Sequence, residues 1–362
     1  MADIVDTPEE AERQERPPLI VRRPLESFLD AQGLGSGAIE AERIGDGHSN
    51  VTYLITRKGG ERFVLRRPPR PPLPPSAHDV LREARLLRAL EPTTVRTPPV
   101  LAVGEDESIL GGVPFYVMEY LDGAVMTGAV ATALDVPEER RRIAEQLVAA
   151  LVETHAADWS EAGLDWFGKP TGYLERQLRR FNGLWDHNKT RELAVVQEVA
   201  DWLAANLPES SEATIVHGDY RLGNVMFGHE APARLTAVFD WELATIGDPL
   251  ADVGYLTATW SEPNRGERKE TMFDNLTVTH GEGFPSRDEL VALYEERSGR
   301  SMTDLRWYQA LALWKAAVFM EGNYKAAVRG DNDDPYLKFF DVGVPQLAEA
   351  AHEITKMPSP SS

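Results

Sequence analysis

The sequence predicts an α+β protein with two lobes, a β-rich first third followed by a mostly helical remainder. Three β-like segments with glycine-containing turns between them occupy residues 41–69. From about residue 137 onwards the apolar residues recur instead at helical spacing. With 362 residues, of which 42% are hydrophobic, the chain is long enough for about two domains and a substantial core.

The elements of the first third follow from its turns and its apolar spacing. Residues 1–24 are rich in Glu, Arg and Pro, which predicts a flexible arm. A turn at Gly45 and Gly47 joins the first two strands, and Gly59-Gly60 is a hairpin signal between the second and third. Helices are expected at residues 24–32 and 78–91, and two more strands near residues 99–106 and 113–121.

The remainder of the chain reads as helices interrupted by two strand-loop segments, residues 213–228 and 235–244. Helices are expected at residues 138–159, 172–189, 192–207, 288–299 and 305–329. The predicted organisation is an arm (1–24), a β-rich lobe (25–118), a hinge (119–123), a helical lobe (124–355) and a disordered tail (356–362).

Composition excludes several classes of function. The chain has 38 basic and 58 acidic residues, a formal net charge of −20, which disfavours binding to nucleic acids and to anionic membranes. A nucleotide remains possible, because its site needs only a local positive pocket and a metal. The absence of cysteine excludes disulfides and suits the reducing cytoplasm. No apolar run reaches the ~18–20 residues that a membrane-spanning helix needs.

Three polar residues stand where apolar strands end. Asp219 and Asn224 lie five residues apart in the HGD loop, defined here as residues 217–224, and Asp240 follows a run of apolar β-formers. Two carboxylates and a carboxamide form a hard-oxygen site of the kind that Mg²⁺ prefers, and one carboxylate can accept a proton from a hydroxyl. Taken singly, each residue could instead serve in a turn or a helix cap.

The order of these features resembles a known family. A glycine-rich turn, a basic strand, a helix with a glutamate, a hinge, HGDYRLGN and FDWELATIGDPLAD follow one another between about residues 36 and 330. This order is similar to the aminoglycoside phosphotransferase family of the protein-kinase-like superfamily, and most similar to its branch associated with acyl-CoA dehydrogenases. The resemblance implies a bilobal protein-kinase-like fold, with a small antiparallel sheet and one helix in the N-lobe and a larger helical C-lobe.

The resemblance also implies catalytic roles. Asp219 would be the catalytic base for the acceptor hydroxyl, and Asn224 and Asp240 would hold Mg²⁺ at the phosphates of ATP. Arg221, inside the HGD loop, would face the γ-phosphate or pair with a neighbouring acid, and both alternatives stay open. Asp248 and Asp252 would cap a helix and brace the loop rather than bind metal.

A second set of residues would bind the nucleotide in the N-lobe. Val64 would contact adenine, and Arg66, on the same face of its strand, would reach the phosphates where the family usually has lysine. Arg67 is the alternative for this contact. Glu83 would pair with the basic residue.

The glycine-rich turn and the hinge would complete the nucleotide site. Backbone N–H groups of residues 45–50 would cover the phosphates, and the residues concerned are Gly45, Gly47, Ser49 and Asn50. Met118 would lie at the back of the adenine pocket. The carbonyl of Glu119 and the N–H of Leu121 would bind the base.

The function expected from these features is transfer of the γ-phosphoryl group of ATP to a hydroxyl of a small molecule. The short connection between DWE and GDPLAD favours a small acceptor over a protein. The similarity to the dehydrogenase-associated branch favours a hydroxyacyl-type metabolite, with an aminoglycoside second, and Glu321 is a candidate contact for it. A nucleotide-binding pseudokinase that acts as a scaffold is the alternative of another class.

Overall fold

The structure is a computed structural model that describes residues 3–45, 50–70, 78–106, 108–210, 212–264, 269–330 and 334–357. The chain divides into two compact units, the N-terminal unit Met1–Asp122 and the C-terminal unit Gly123–Ser362. The boundary falls within the stretch where the sequence predicts a hinge. Gly47, Ser49 and the last five residues of the predicted tail lie outside the described residues.

The α+β class predicted from the sequence is confirmed, and the N-terminal unit holds most of the strands. Its elements are β1 (Ile4–Val5), α1 (Pro8–Glu12), β2 (Ile20–Val21), α2 (Arg22–Ala31), β3 (Ile39–Ile44), β4 (Val51–Arg57), β5 (Arg62–Arg67), α3 (Val80–Leu90), β6 (Val100–Gly104) and β7 (Phe115–Glu119).

An antiparallel five-stranded sheet in the order β3-β4-β5-β7-β6 forms the centre of this unit. Strand β4 alternates strictly between buried and half-buried residues, because neighbouring side chains point to opposite faces. Tyr53, Ile55 and Leu65 pack on one face against Leu25 and Leu29 of α2 in a single apolar core. One face of the central strands therefore lies in the core with α2, and the alternate residues on the other face lie outside this core.

The N-terminal arm differs from its prediction. Strand β1 pairs in parallel with β2, and Leu19 and Ile20 are buried in the sheet core instead of remaining in solvent. The side chain of Arg67 donates a hydrogen bond to the carbonyl of Leu19. The arm is ordered because three consecutive apolar residues, Leu19–Val21, can bury against the sheet, which the polar composition around them conceals.

The C-terminal unit is mainly helical. Its elements are β8 (Ala124–Val125), α4 (Pro137–Ala156), α5 (Tyr173–Asn188), α6 (Ala194–Ala205), β9 (Thr214–Val216), β10 (Val225–Phe227), β11 (Leu235–Val238), β12 (Thr245–Gly247), α7 (Leu250–Thr259), α8 (Arg287–Ser298), α9 (Leu305–Arg329) and α10 (Phe340–Lys356). Small sheets in the orders β11-β10-β8 and β12-β9 contain the strands that precede and follow the loops with Asp219 and Asp240.

Helix α9 is the centre of this unit and packs against α5, α6, α7 and α10. Its contact with α7 is close because Gly254 has no side chain, and a Cβ there would lie 2.7 Å from the backbone of Tyr308. Helix α10, which contains Pro345, is not among the helices predicted from the sequence. It forms because Val344, Leu347 and neighbouring apolar residues bury along it.

Among the described residues, none of the helices combines the length and the apolar character that crossing a membrane requires.

Candidate active site

The HGD loop begins where the buried strand β9 ends. Residues 222–224 form a 3-10 turn that leads directly into β10, and the backbone N–H of Phe239 donates to the carbonyl of Asn224 over 2.8 Å. This bond joins the end of the loop to the residue before Asp240. Strand β9, which precedes the loop, and strand β11, which precedes Asp240, therefore bring Asp219, Asn224 and Asp240 to one region of the C-terminal unit, as the sequence predicts.

His217 links the two segments of this region. Its Nδ1 accepts a hydrogen bond from the backbone N–H of Asp219 (3.2 Å), and its Nε2 donates to the carbonyl of Phe239 (2.8 Å). These partners assign the ring proton to Nε2 and occupy both nitrogens. The ring is fully buried beside Trp241, with centroids 4.6 Å apart. His217 therefore braces the loop and is not placed to transfer protons.

The carboxylate of Asp219 accepts a hydrogen bond from Asn224 and lies near the guanidinium of Arg221. The amide nitrogen of Asn224 donates to its Oδ2 over 2.7 Å and to its backbone carbonyl over 2.8 Å. The guanidinium Nε of Arg221 lies 3.7 Å from Oδ1, an ion pair that fits the neighbouring-acid alternative and leaves the γ-phosphate alternative a prediction. Burial, followed by the negative charge of Asp219, raises the pKa of Tyr255 on α7 well above its ordinary value. Asp219 nevertheless keeps 21% of its side-chain surface exposed.

Asp240 has an unusual backbone conformation. It lies in the left-handed region at φ 66° and ψ 57°, immediately before the 3-10 turn Trp241–Leu243. Such a conformation costs a non-glycine residue about 1 kcal/mol, and strained positions of this kind cluster at functional sites. Its half-buried carboxylate contributes to the electrostatic environment of the Tyr255 hydroxyl, as does that of Asp219.

Asp252 fixes the loop from behind. It is fully buried and accepts hydrogen bonds from the backbone N–H groups of His217 and Gly218, both at 2.7 Å, and from Nε2 of His155 at 3.1 Å. Burial is the largest single influence and would raise the pKa of Asp252, but the hydrogen bond and charge of His155, together with smaller contributions that include the backbone hydrogen bond of Gly218, lower the pKa overall. The bracing role expected for Asp252 agrees with these contacts.

Gly218 is required at its position in the loop. Its φ of +87° favours glycine, and a Cβ there would lie 2.8 Å from the carbonyl oxygen of Leu243. The close approach holds the loop against the turn after Asp240.

Asp248 has a similar structural role to Asp252. It is also fully buried, and its Oδ1 accepts the backbone N–H of Leu250 at the start of α7. Its Oδ2 accepts hydrogen bonds from the hydroxyls of Ser210 (2.9 Å) and Tyr308 (2.8 Å). Asp248 therefore caps α7 and ties it to α9, and neither carboxylate oxygen faces an open surface.

The N-terminal unit contains the predicted ion pair. Nε of Arg66 lies 3.0 Å from Oε2 of Glu83, whose side chain is only 2% exposed. Arg67 has the opposite orientation: its side chain is 1% exposed and donates hydrogen bonds to the carbonyls of Leu19 and Pro68. Because neighbouring side chains alternate in a strand, only Arg66 shares a face with Val64. Arg67 is therefore not available to a phosphate.

The residues predicted to contact adenine are paired in the sheet. Val64 on β5 lies directly opposite Met118 on β7, so their side chains share one face. The N–H of Glu119 donates to the carbonyl of Pro99 over 2.9 Å, and Leu121 follows beyond the strand, half-buried. Gly45 has a left-handed backbone at φ 76°, and Asn50 is buried.

Sequence reasoning misjudged Glu321. Glu321 is fully buried and accepts hydrogen bonds from the backbone and hydroxyl of Thr190 and from Arg191. These contacts hold the segment between α5 and α6, so Glu321 is not a candidate substrate contact.

Comparison with protein families identifies the chain. The family model described as phosphotransferase enzyme family matches residues 40–290. The chain belongs to this family. The matched residues include the Arg66–Glu83 pair, the HGD loop and Asp240.

Curated relatives of this phosphotransferase are longer proteins. Acyl-CoA dehydrogenase family member 10 of Mus musculus is 34% identical over 316 residues, which cover 84% of this chain and 28% of the relative. Acyl-CoA dehydrogenase family member 11 of Gallus gallus is 33% identical over 333 residues, 90% of this chain and 42% of the relative. The chain therefore spans less than half the length of these two relatives.

Solved structures also resemble the phosphotransferase. A candidate aminoglycoside phosphotransferase from Ralstonia eutropha has a TM-score of 0.75 and 30% identity, covering 92% of this chain and 97% of its own. The GDP complex of aminoglycoside 2'-phosphotransferase-IIIa has a TM-score of 0.59 and 16% identity, covering 90% and 97%. The second likeness shows the fold alone.

Proposed function

We propose that this phosphotransferase transfers the γ-phosphoryl group of ATP to a hydroxyl of a small metabolite, with a hydroxyacyl compound as the preferred acceptor. The observation that carries the proposal is the side-chain amide of Asn224. Its nitrogen donates to Asp219, the proposed base, over 2.7 Å, so its carbonyl oxygen is the atom left to ligate a cation. One residue thus couples the proposed base to the proposed metal site.

The donor set suits Mg²⁺. Among the described residues there is no group of three or more His, Cys, Asp or Glu side chains that could hold a metal ion. Magnesium in a nucleotide site needs only one or two carboxylates, since phosphate oxygens and water complete its coordination. Asn224 and Asp240 would hold the ion, which when bound would neutralise charge on the phosphates.

The chain's own residues would contribute positioning and proton acceptance. Asp219 would accept the proton of the acceptor hydroxyl as the hydroxyl oxygen bonds to the γ-phosphorus and the bond from phosphorus to the ADP oxygen breaks. Arg221, beside Asp219, would stabilise negative charge on the transferred group.

In the N-terminal unit, Arg66, oriented by Glu83, would bind the nucleotide phosphates together with the backbone at Gly45 and Asn50. Val64 and Met118 would contact adenine, while Glu119 and Leu121 would bind it through backbone groups.

The surroundings of the HGD loop favour an acyl acceptor over a polycation. Leu243, three residues after Asp240 and in contact with Gly218 of the loop, keeps 45% of its surface exposed. Exposed apolar surface beside a base suits an alkyl chain. The names of the curated relatives also favour an acyl metabolite.

An aminoglycoside is the second candidate acceptor, and the net charge of −20 favours it because a polycation would be attracted to an acidic protein. The test is a phosphate-transfer screen of hydroxyacyl-CoAs, hydroxy acids and aminoglycosides with MgATP, read by mass shift. We expect a gain of one phosphate on a hydroxyacyl compound, and none with Asp219→Asn. Phosphorylation of aminoglycosides alone would select the second candidate. Nucleotide binding without transfer to any acceptor would indicate a pseudokinase.

A further inference from the structure

Two basic side chains of the C-terminal unit converge on one aromatic ring. The ammonium nitrogen of Lys315 on α9 lies 4.8 Å from the ring centroid of Phe181 on α5, and the guanidinium carbon of Arg180 lies 5.8 Å from the same centroid. In the part of the chain that the structure describes, neither cation has a hydrogen bond or an acidic side chain within ion-pair distance. Arg180 is exposed and Lys315 is half-buried, so a ligand can reach the pair from solvent.

The helix faces that carry the two cations begin next to the candidate site. Tyr173, the first residue of α5, packs so closely on Gly247 that a Cβ there would lie 2.5 Å from its ring. In the first turn of α9, the hydroxyl of Tyr308 donates to Asp248 over 2.8 Å. Each cation follows the tyrosine of its own helix by seven residues, so the helical period places cation and tyrosine on one face. Both faces therefore start at the segment that follows Asp240.

Helix α9 supplies no anion to this pair, because it has no acidic residue between Leu305 and Met320. The charge of Asp252 acts on Lys315, but both oxygens of this buried carboxylate already accept hydrogen bonds from the HGD loop and His155. The whole chain has 58 acidic and 38 basic residues, so two neighbouring cations without an acid are an exception in it. A partly buried charge without a counter-ion also costs stability.

We propose that Arg180 and Lys315 bind an anionic group of the acceptor, either a phosphate or a carboxylate. The guanidinium offers a planar fork that matches both groups, and the ammonium adds a compact positive charge. This inference rests on the proposed function and narrows the acceptor to an anionic hydroxyacyl compound. The anion would be a phosphate in a CoA thioester and the carboxylate in a free hydroxy acid. A polycationic aminoglycoside would be repelled by the same pair.

The electrostatics of Lys315 agree with an anionic ligand. Burial, followed by the charge of Arg180, lowers the pKa of Lys315 to about 8, while Asp252 opposes the shift. The ammonium form still predominates at pH 7, because that pH lies below the pKa. A bound anion would compensate both cations, since an opposite charge nearby favours the charged form of a lysine.

The first test measures binding without catalysis, by titration calorimetry with coenzyme A and with a hydroxydecanoate. MgADP is present throughout, so that the nucleotide part of coenzyme A cannot occupy the nucleotide site. We expect Lys315→Met and Arg180→Gln each to weaken binding of at least one probe about 10- to 100-fold, the scale of a lost charge-assisted hydrogen bond. The matched controls are Lys325→Met, near the end of α9, and Arg179→Gln, an exposed neighbour on α5. Both controls should stay within about twofold of the parent.

The two probes distinguish the possible sources of the anion. A loss with coenzyme A supports a phosphate, and a loss with the hydroxydecanoate alone supports a carboxylate. The proposal is overturned if the parent binds neither probe, or if Lys315→Met and Arg180→Gln bind both as the parent does. An effect confined to inorganic phosphate would also overturn it, because that would indicate a free ion rather than the acceptor.

The second test is kinetic. Both variants should raise the KM for the anionic acceptor about 10- to 100-fold and leave kcat and the KM for ATP within about twofold, since a distant binding contact is lost. The N-acetylcysteamine thioester of the same hydroxyacyl group carries no charge, so its KM should be unchanged. An equal rise in KM for this neutral thioester would refute an anion site, as would selective phosphorylation of aminoglycosides by the parent.

Failure of the proposed function is distinguishable from failure of this inference. If the parent transfers phosphate to no acceptor, the proposed function fails, and the calorimetric comparison still decides whether the pair binds an anion. Urea unfolding of Lys315→Met separates lost binding from lost folding, because this variant should be at least as stable as the parent.

Discussion

Four aspartates in the segment 219–252 differ in burial and in the number of donors around them. Asp248 and Asp252 are fully buried, and both oxygens of each carboxylate accept hydrogen bonds. Asp219 and Asp240 are half-buried, and Asp240 also has a left-handed backbone. A saturated, buried carboxylate can only brace the structure, whereas a carboxylate with accessible oxygen can accept a proton or ligate a cation.

The comparison also explains why the segment 219–252 contains both accessible and fully buried aspartates. Two accessible carboxylates close together repel each other and need a rigid frame. The buried pair provides that frame, since Asp252 holds the backbone of the HGD loop and Asp248 caps α7.

The largest expected effect is the loss of kcat when an accessible carboxylate, that of Asp219, is changed. Asp219→Asn should lower kcat about 10²–10⁴-fold, because a positioned base is lost while the shape of the side chain is kept. Steady-state kinetics would measure this loss, and the thermal midpoint should stay near that of the parent. Asp201→Asn, an exposed aspartate of α6, is the control. A parental turnover rate for Asp219→Asn would contradict its role as the base.

On the buried side, Asp252→Ala should lower the free energy of unfolding by about 3–5 kcal/mol, since it leaves two backbone N–H groups and His155 without their acceptor. Urea unfolding would measure the loss. The lowered pKa of Asp252 means that its carboxylate stabilises the fold above the pKa of the unfolded chain, about 3.9, and that this contribution disappears as the pH falls further. A variant as stable as the parent at pH 7 would refute the bracing role.

Asp240→Asn should weaken MgATP binding about 10- to 100-fold, or about 1.4–2.7 kcal/mol. The substitution removes the charge that would attract the cation but keeps a side chain that tolerates the left-handed conformation. Titration calorimetry with MgATP measures the affinity. Equal affinities for the two proteins would mean that Asp240 is not a metal ligand.

Lys315 extends the comparison of buried and accessible carboxylates to a positively charged side chain. Burial, followed by the neighbouring charge of Arg180, lowers the pKa of Lys315 to about 8, and its ammonium lies over the ring of Phe181. In the unfolded chain the lysine titrates near 10.4, so between these values the unfolded state binds more protons and the free energy of unfolding rises with pH.

Lys315→Met should therefore raise the free energy of unfolding by about 1–2 kcal/mol at pH 7, because it removes the cost of burying the charge. The rise between pH 8 and 10 should disappear in this variant. Urea unfolding at pH 7 and 9.5 would measure both effects, with Lys325→Met, which changes a lysine at the end of α9, as the control. A variant less stable than the parent at pH 7 would contradict the expectation.

The smallest expected effect is a gain. Asp240→Gly should raise the free energy of unfolding by about 0.5–1 kcal/mol, because glycine adopts φ 66° without the steric cost that an L side chain meets there. Thermal unfolding would detect a higher midpoint in a protein that no longer transfers phosphate. A lower midpoint would show that the Asp240 side chain stabilises the fold more than its conformation costs.

The sequence by itself determined the features that depend on local spacing. Alternation and glycine turns predicted β3, β4 and β5, and the ends of apolar strands predicted that Asp219, Asn224 and Asp240 would meet. The catalytic and ligand roles of these residues remain predictions.

Only the tertiary structure decided which of two neighbouring or similar residues faces the site. Arg66 and Arg67 have the same chemistry, and the face that packs on α2 selects Arg67 for the core. The role of Glu321 likewise depends on partners far away in the chain, Thr190 and Arg191. Local spacing fixes where a side chain stands on its own element, but its partners depend on how the elements pack, and that information is spread over the whole chain.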